Sequence, residues 1–182
     1  MSRIRTWCIA LTLIALVGAA APSDVEAQRP HTREGFFIGF GLGLGTLGCD
    51  DCDEREAGLS GYLKLGGTVN DRVLLGFESS GWTKEESGVT LSQGNASAVV
   101  WFYPTAASGF YLKGGLGLAT LDLTIEDVGS GDETGAGVTL GLGFDARVGS
   151  NFSLTPYGNL VVGNFDGGST NVVQVGIGLS WH

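Results

Sequence analysis

From Val173 to the end, the chain alternates strictly between two kinds of position. Val173, Val175, Ile177, Leu179 and Trp181 form one face, and Gln174, Gly176, Gly178 and Ser180 form the other. Such a two-residue period is that of a strand with one apolar side. The same period recurs upstream. Phe36, Ile38, Phe40, Leu42 and Leu44 alternate with Gly39, Gly41, Gly43 and Gly45. Leu59, Leu63, Leu65 and Val69 alternate with Ser60, Tyr62, Lys64 and Thr68, and Val73, Leu75 and Phe77 with Gly76, Glu78 and Ser80. Less cleanly, Ala96, Ala98, Val100 and Phe102 share one side of the next segment. Three more segments follow, centred on Leu112–Leu118, Val138–Val148 and Phe152–Val162. The period therefore predicts eight strands, and no helical periodicity is found after the N-terminal segment.

The connections predict how the strands are arranged. Thr46–Glu56, Thr83–Gly88, Ile125–Glu133 and Gly163–Thr170 read as long loops. Asn70–Arg72 and Gly149–Asn151 read as short turns, with Pro104–Gly109 intermediate. Long and short connections alternate, so they fall on opposite ends of an up-and-down antiparallel meander. Each apolar face is free of ionisable residues. The charges within strands, Lys64, Glu78, Lys113, Asp145 and Arg147, all lie on the glycine-rich face. Pairing about Asp71 sets Lys64 opposite Glu78, and pairing about Gly129 sets Lys113 opposite Asp145. A hairpin about Ser150 sets Tyr157 opposite Gly143.

Composition narrows the environment. Of 182 residues, 32 are glycine, and only 16% are charged, against roughly 25% in soluble domains. Residues 1–27 read as a secretory signal peptide, with Arg3 and Arg5 before an apolar run and small residues before Gln28. The run is shorter than the roughly 20 residues of a spanning helix. Acidic residues crowd the long connections: Asp50, Asp51, Asp53, Glu54, Glu56, Glu85, Glu86, Glu126, Asp127, Asp132, Glu133 and Asp166. Aromatics gather at the short-turn end: Phe36, Phe37, Phe102, Tyr103, Phe110, Tyr111, Phe152 and Trp181. Apolar strand faces, charges confined to the other face and an aromatic girdle are the pattern of a transmembrane barrel. The alternative is a soluble periplasmic barrel that turns its apolar face inward around an apolar ligand.

The signal peptide, the eight alternating strands, the turn pattern and the terminal Val173–Trp181 stretch resemble small bacterial outer-membrane β-barrel proteins of the OmpA and OmpX type. The resemblance covers residues 35–182. It implies an all-β, eight-stranded antiparallel up-and-down transmembrane β-barrel in the outer membrane, with 28–34 as a short periplasmic segment. It also implies a monomer in contact with the lipid bilayer and lipopolysaccharide. In that family the last strand is read by the barrel-assembly machinery, so Val173, Val175, Ile177, Leu179 and Trp181 are the expected assembly signal. On this reading the charged residues form lumenal ion pairs, Leu142→Arg blocks assembly, and Thr139→Arg is better tolerated.

Candidate chemistry is sparse. Cys49 and Cys52 have redox-type spacing but lie in an acidic loop without a following helix. A local disulfide is the expected state, with metal binding and redox work as the alternatives. Divalent cations could meet the acidic loops through carboxylates, although the EF-hand spacing is missing. Enzymes on such barrels need a histidine beside serine or carboxylate partners. His31 precedes the barrel and His182 ends the chain, so no catalysis and no cofactor are expected. A net charge of −9 disfavours nucleic acid. The expected role is structural or interactive at the cell surface, with a narrow channel or carrier for small solutes as the alternative.

Overall fold

The computed structural model describes residues 33–50, 52, 54–125 and 129–182. The expected signal peptide, residues 28–32, Asp51, Asp53, Glu126 and Asp127 lie outside these. Among the described residues nine strands are defined: β1 (Phe36–Cys49), β2 (Glu56–Asn70), β3 (Val73–Glu86), β4 (Val89–Phe102), β5 (Phe110–Ile125), β6 (Gly129–Phe144), β7 (Ala146–Arg147), β8 (Phe152–Phe165) and β9 (Gly168–Trp181). β6 and β7 form one stave, interrupted at Asp145, because both pair with β8 in a continuous register. Eight antiparallel staves result. β1 pairs with β9 as well as β2, and β6 with β8 as well as β5, so the sheet closes and leaves no edge around its trunk.

The facing of the strands is decided by burial. Leu42 and Leu116 are 74% and 72% exposed, whereas Lys64 and Glu78 are each 2% exposed. Along the trunk, apolar strand positions point outward and charged ones inward. A soluble barrel with an apolar interior is thereby overturned. Exposed large apolar residues ring the molecule, from Phe40 and Leu65 through Leu112 and Leu140 to Ile177. So broad an apolar surface calls for a lipid environment.

The outer surface also marks where that belt stops. Outward positions change from Phe77 to Ser79 and Thr83 on β3, and from Leu118 to Thr120 and Asp122 on β5. On β6 they change from Ala136 to Thr134 and Asp132. Strands of 14 to 16 residues exceed the roughly 9–11 needed to cross a bilayer, so these hairpins project beyond the belt. This corrects the loop assignments for Thr83–Gly88, Ile125–Glu133 and Gly163–Thr170, which are mostly strand. Glu85, Glu86, Asp132 and Glu133 accordingly stand on strands. The β3–β4 turn is only Ser87–Gly88, both with positive φ (53° and 79°), as a two-residue hairpin with the sheet's twist requires.

Glycines on the inner face have a definite use. A Cβ at Gly41 would lie 2.8 Å from the Tyr157 ring and crowd that of Tyr62, so glycine lets both rings enter the lumen. The register does set Gly143 opposite Tyr157. The ring filling the space over Gly143, however, is that of Tyr111.

Candidate functional site

Two places could act on other molecules: the lumen and the mouth formed by the projecting hairpins. The lumen is filled in three layers. At the short-turn end Phe37, Leu74, Val99, Trp101, Tyr103 and Tyr111 pack together. Three of the expected girdle aromatics, Phe37, Tyr103 and Tyr111, therefore point inward, while Phe36, Phe102, Phe110, Phe152 and Trp181 face out. Strand parity explains the split, since neighbours in a strand cannot share a face. At the other end Leu47, Trp82, Val161 and Val172 pack together, and Trp82 Nε1 donates to the Gly45 carbonyl at 3.1 Å.

Between the apolar layers lie the charges. Lys64 stands opposite Glu78 in the β2–β3 register. Yet the ion pair of Glu78 is with Lys113, whose Nζ lies 2.5 and 2.6 Å from the two carboxylate oxygens. Lys64 Nζ sits over the Tyr111 and Tyr62 rings, 5.3 and 5.9 Å from their centroids. The expected pairing of Lys113 with Asp145 is corrected: Lys113 faces Gly141. Ile125 pairs with Gly129, so the register is centred two positions earlier than the sequence suggested. That displacement keeps each residue on its face but moves its partner by four.

Asp145 has other partners. Tyr103 Oη donates to Oδ2 and Thr155 Oγ1 to Oδ1, both at 2.7 Å. Arg33, only 2% exposed, stacks over Tyr103 at 3.6 Å and donates to the Ala106 and Ser108 carbonyls. Sequence reasoning missed Arg33, Tyr103 and Thr155. The parity of Tyr103 with Trp101 was the available signal for one of them. Arg147 donates to the Ser150 carbonyl at 2.9 Å, beside the turn that follows β7.

His182 closes the same end, stacked on Phe37 with centroids 5.8 Å apart. Burial pushes its imidazole down to about 4, so it is neutral at pH 7. The unfolded chain takes up this proton near pH 6.5, well before the folded one does. Barrel stability is therefore expected to fall as pH drops from about 6.5 to 4. His182→Asn should flatten that slope in urea titrations at a series of pH values.

At the mouth, Cys49 and Cys52 are bonded to each other. A cross-link closing so short a loop contributes about 2 kcal/mol through chain entropy. Dithiothreitol should lower the unfolding midpoint modestly and leave the folded barrel intact on gels. Arg55 straddles the outside of the β1–β9 seam, donating to Thr46 Oγ1 at 3.0 Å and to Asn171 Oδ1 at 2.6 Å. Asp50 Oδ2 accepts from Ser169 Oγ at 2.7 Å. Among the described residues no group of three or more His, Cys, Asp and Glu side chains converges on a metal-sized space.

No family model matches the chain. No curated protein matches it in sequence. Solved structures do match in shape. Ail, the attachment invasion locus protein of Yersinia pestis, crystallised with the heparin analogue sucrose octasulfate, superposes with a TM-score of 0.64 at 16% identity, covering 82% of this chain and 100% of that one. Neisserial surface protein A gives 0.62 at 16% identity, covering 83% and 99%. This chain has the fold of an outer-membrane β-barrel. The N-terminal barrel domain of Pseudomonas aeruginosa OprF shares it, with a TM-score of 0.50 at 17% identity and coverage of 82% and 98%. In this barrel the last strand, with Val173, Val175, Ile177, Leu179 and Trp181 facing out, pairs with β1 and seals the wall.

Proposed function

We propose that the chain is a non-enzymatic outer-membrane protein with a structural or surface-interaction role, performed by the hairpins that project from the barrel. The observation that carries this reading is the pairing of an apolar belt around a filled lumen with strands too long for the belt. Closure is required in such a place, because each unpaired backbone group in hydrocarbon costs several kcal/mol. Proteins of the same fold include one named for attachment and invasion and one named as a surface protein. The polyanion seen on Ail does not transfer, because the mouth here is acidic.

The terminal Val173–Trp181 strand is read as the address for the assembly machinery. The lipid bilayer and lipopolysaccharide are the surroundings of the belt, and a monomer suffices because the closed wall has no edge to share. A role without catalysis is favoured by the attachment and surface proteins that share the fold.

The test is gel mobility of the membrane fraction with and without boiling in SDS, together with protease treatment of intact cells. A boiling-dependent shift and cleavage confined to the hairpin ends are expected. Soluble protein without a shift would overturn the reading. The lumen bears on the channel alternative. Apolar layers at both ends and a buried ion pair between them predict no measurable conductance in planar bilayers. Steady single-channel steps would reverse that expectation.

A further inference from the structure

Beyond the belt β4 and β5 reverse the facing rule. Along the trunk of β4 and β5 the inward row holds Asn95, Ser97, Lys113 and Ala119. Continuing the same row past the belt, the residues become Val89, Leu91, Leu121, Leu123 and Ile125, paired Val89 with Ile125 and Leu91 with Leu123. The outward row becomes Thr90, Ser92, Thr120, Asp122 and Thr124. The projecting ends of β4 and β5 thus turn an apolar strip over the mouth. It is flanked on the same face by Lys84 and Glu86 of β3, opposite Leu91 and Val89, and by Glu133 of β6, opposite Leu121. Leu91 and Leu121 rest on the Trp82 layer, whereas Val89, Leu123 and Ile125 remain 38%, 42% and 37% exposed. This inner face looks away from lipid, and Leu91 and Leu121 are the part of it packed on the trunk.

Charge surrounds it. Next to Leu121 opens a cleft of about 200 Å³, lined by Leu121, Phe165, Asp50, Glu133 and the β8–β9 turn. Among the described residues Glu133 accepts one long hydrogen bond, from the Gly167 amide at 3.3 Å. The cations of this end are already engaged. Lys84 lies between Glu56 and Glu86, and Arg55 is held on the outer seam by Thr46 and Asn171. The inner mouth is thus apolar with an acidic border.

We propose that this inner face is a docking site for a basic, amphipathic peptide segment of another protein. The proposal rests on the surface role given above and names the partner's chemistry. Apolar side chains of the segment lie on Val89, Leu123 and Ile125. One lysine or arginine enters the cleft, its stem along Leu121 and Phe165 and its head toward Asp50 and Glu133. The apolar contacts supply most of the affinity, because exposed ion pairs contribute little. Charge selects the segment: an acidic peptide meets repulsion, and a basic peptide without apolar residues has nothing to bury.

The test uses the full folded barrel in zwitterionic phosphatidylcholine nanodiscs, with empty nanodiscs as the baseline. The probes are short fluorescent peptides alternating Lys with Leu, Glu with Leu, or Lys with Ser. Saturable binding of the Lys–Leu peptide above the baseline is expected, with neither control bound. Leu123→Ser and Ile125→Ser should each weaken it about tenfold, the effect of losing one buried apolar side chain. Glu133→Gln, nearly the same shape, should weaken it severalfold, while Thr124→Ala on the outward face should not.

Equal binding of the Glu–Leu or Lys–Ser peptide would overturn the proposal. So would Lys–Leu binding no stronger than to empty nanodiscs, or binding unchanged in Leu123→Ser and Glu133→Gln. The boiling shift is recorded for every variant. A missing shift in the unmodified protein counts against the barrel reading. A normal shift with peptide binding indifferent to these residues counts against the docking site alone.

Discussion

Leu140→Arg is expected to abolish assembly of the barrel, and Thr134→Arg, on the same outward row, is not. Leu140 is the middle of the row Phe144, Leu142, Leu140, Val138 and Ala136, and it is half exposed on the outer surface. An arginine near the bilayer midplane costs about 2–4 kcal/mol, and near the interface about 0–1 kcal/mol. Thr134 lies past Ala136, where outward residues have turned polar. Boiling-dependent gel mobility of membrane fractions reads the outcome. Equal assembly of both variants would refute the position of the belt. Thr139→Arg, the contrast suggested by strand parity, is not a benign control. Thr139 is 1% exposed and bonded to Asn95 at 2.8 Å, so a longer side chain would overfill the lumen.

Glu78→Gln should destabilise the folded barrel much more than Lys113→Met. Removing one partner of a buried pair typically costs about 3–5 kcal/mol, because the other charge is stranded. Glu78→Gln strands Lys113 without its carboxylate and beside the like charge of Lys64. Lys113→Met leaves Glu78 directly opposite Lys64, and that flexible side chain can turn from the Tyr111 ring to the carboxylate. Lys64→Met combined with Lys113→Met removes this rescue and should again cost several kcal/mol. Urea unfolding midpoints, read by the loss of the unboiled gel form, decide the order. If Lys113→Met alone is as damaging as Glu78→Gln, Lys64 does not substitute and the explanation fails.

The strand content, the antiparallel order and the confinement of charge to one face along the apolar belt were legible from the sequence. Each rests on the two-residue period and on turn residues a few positions apart. Leu42 and Lys64 lie on opposite faces whichever way the barrel is turned. The hairpin about Asp71 was equally readable, because a short turn leaves little freedom in register.

What the sequence left open depended on distance. The period cannot say which face is inside, and only closure of β1 onto β9 shows Leu42 pointing out. The hairpin reaching Lys113 has a longer connection, and a displacement of two positions kept the faces but exchanged the partners. The ion pair itself joins β5 to β3, with β4 between them, and Tyr62 meets Tyr157 across the lumen. Arg33 reaches Tyr103 from outside any strand. Local pattern determined the wall of this barrel. Its contents were decided only in three dimensions, because long side chains filling a closed cylinder meet partners that no hairpin register brings together.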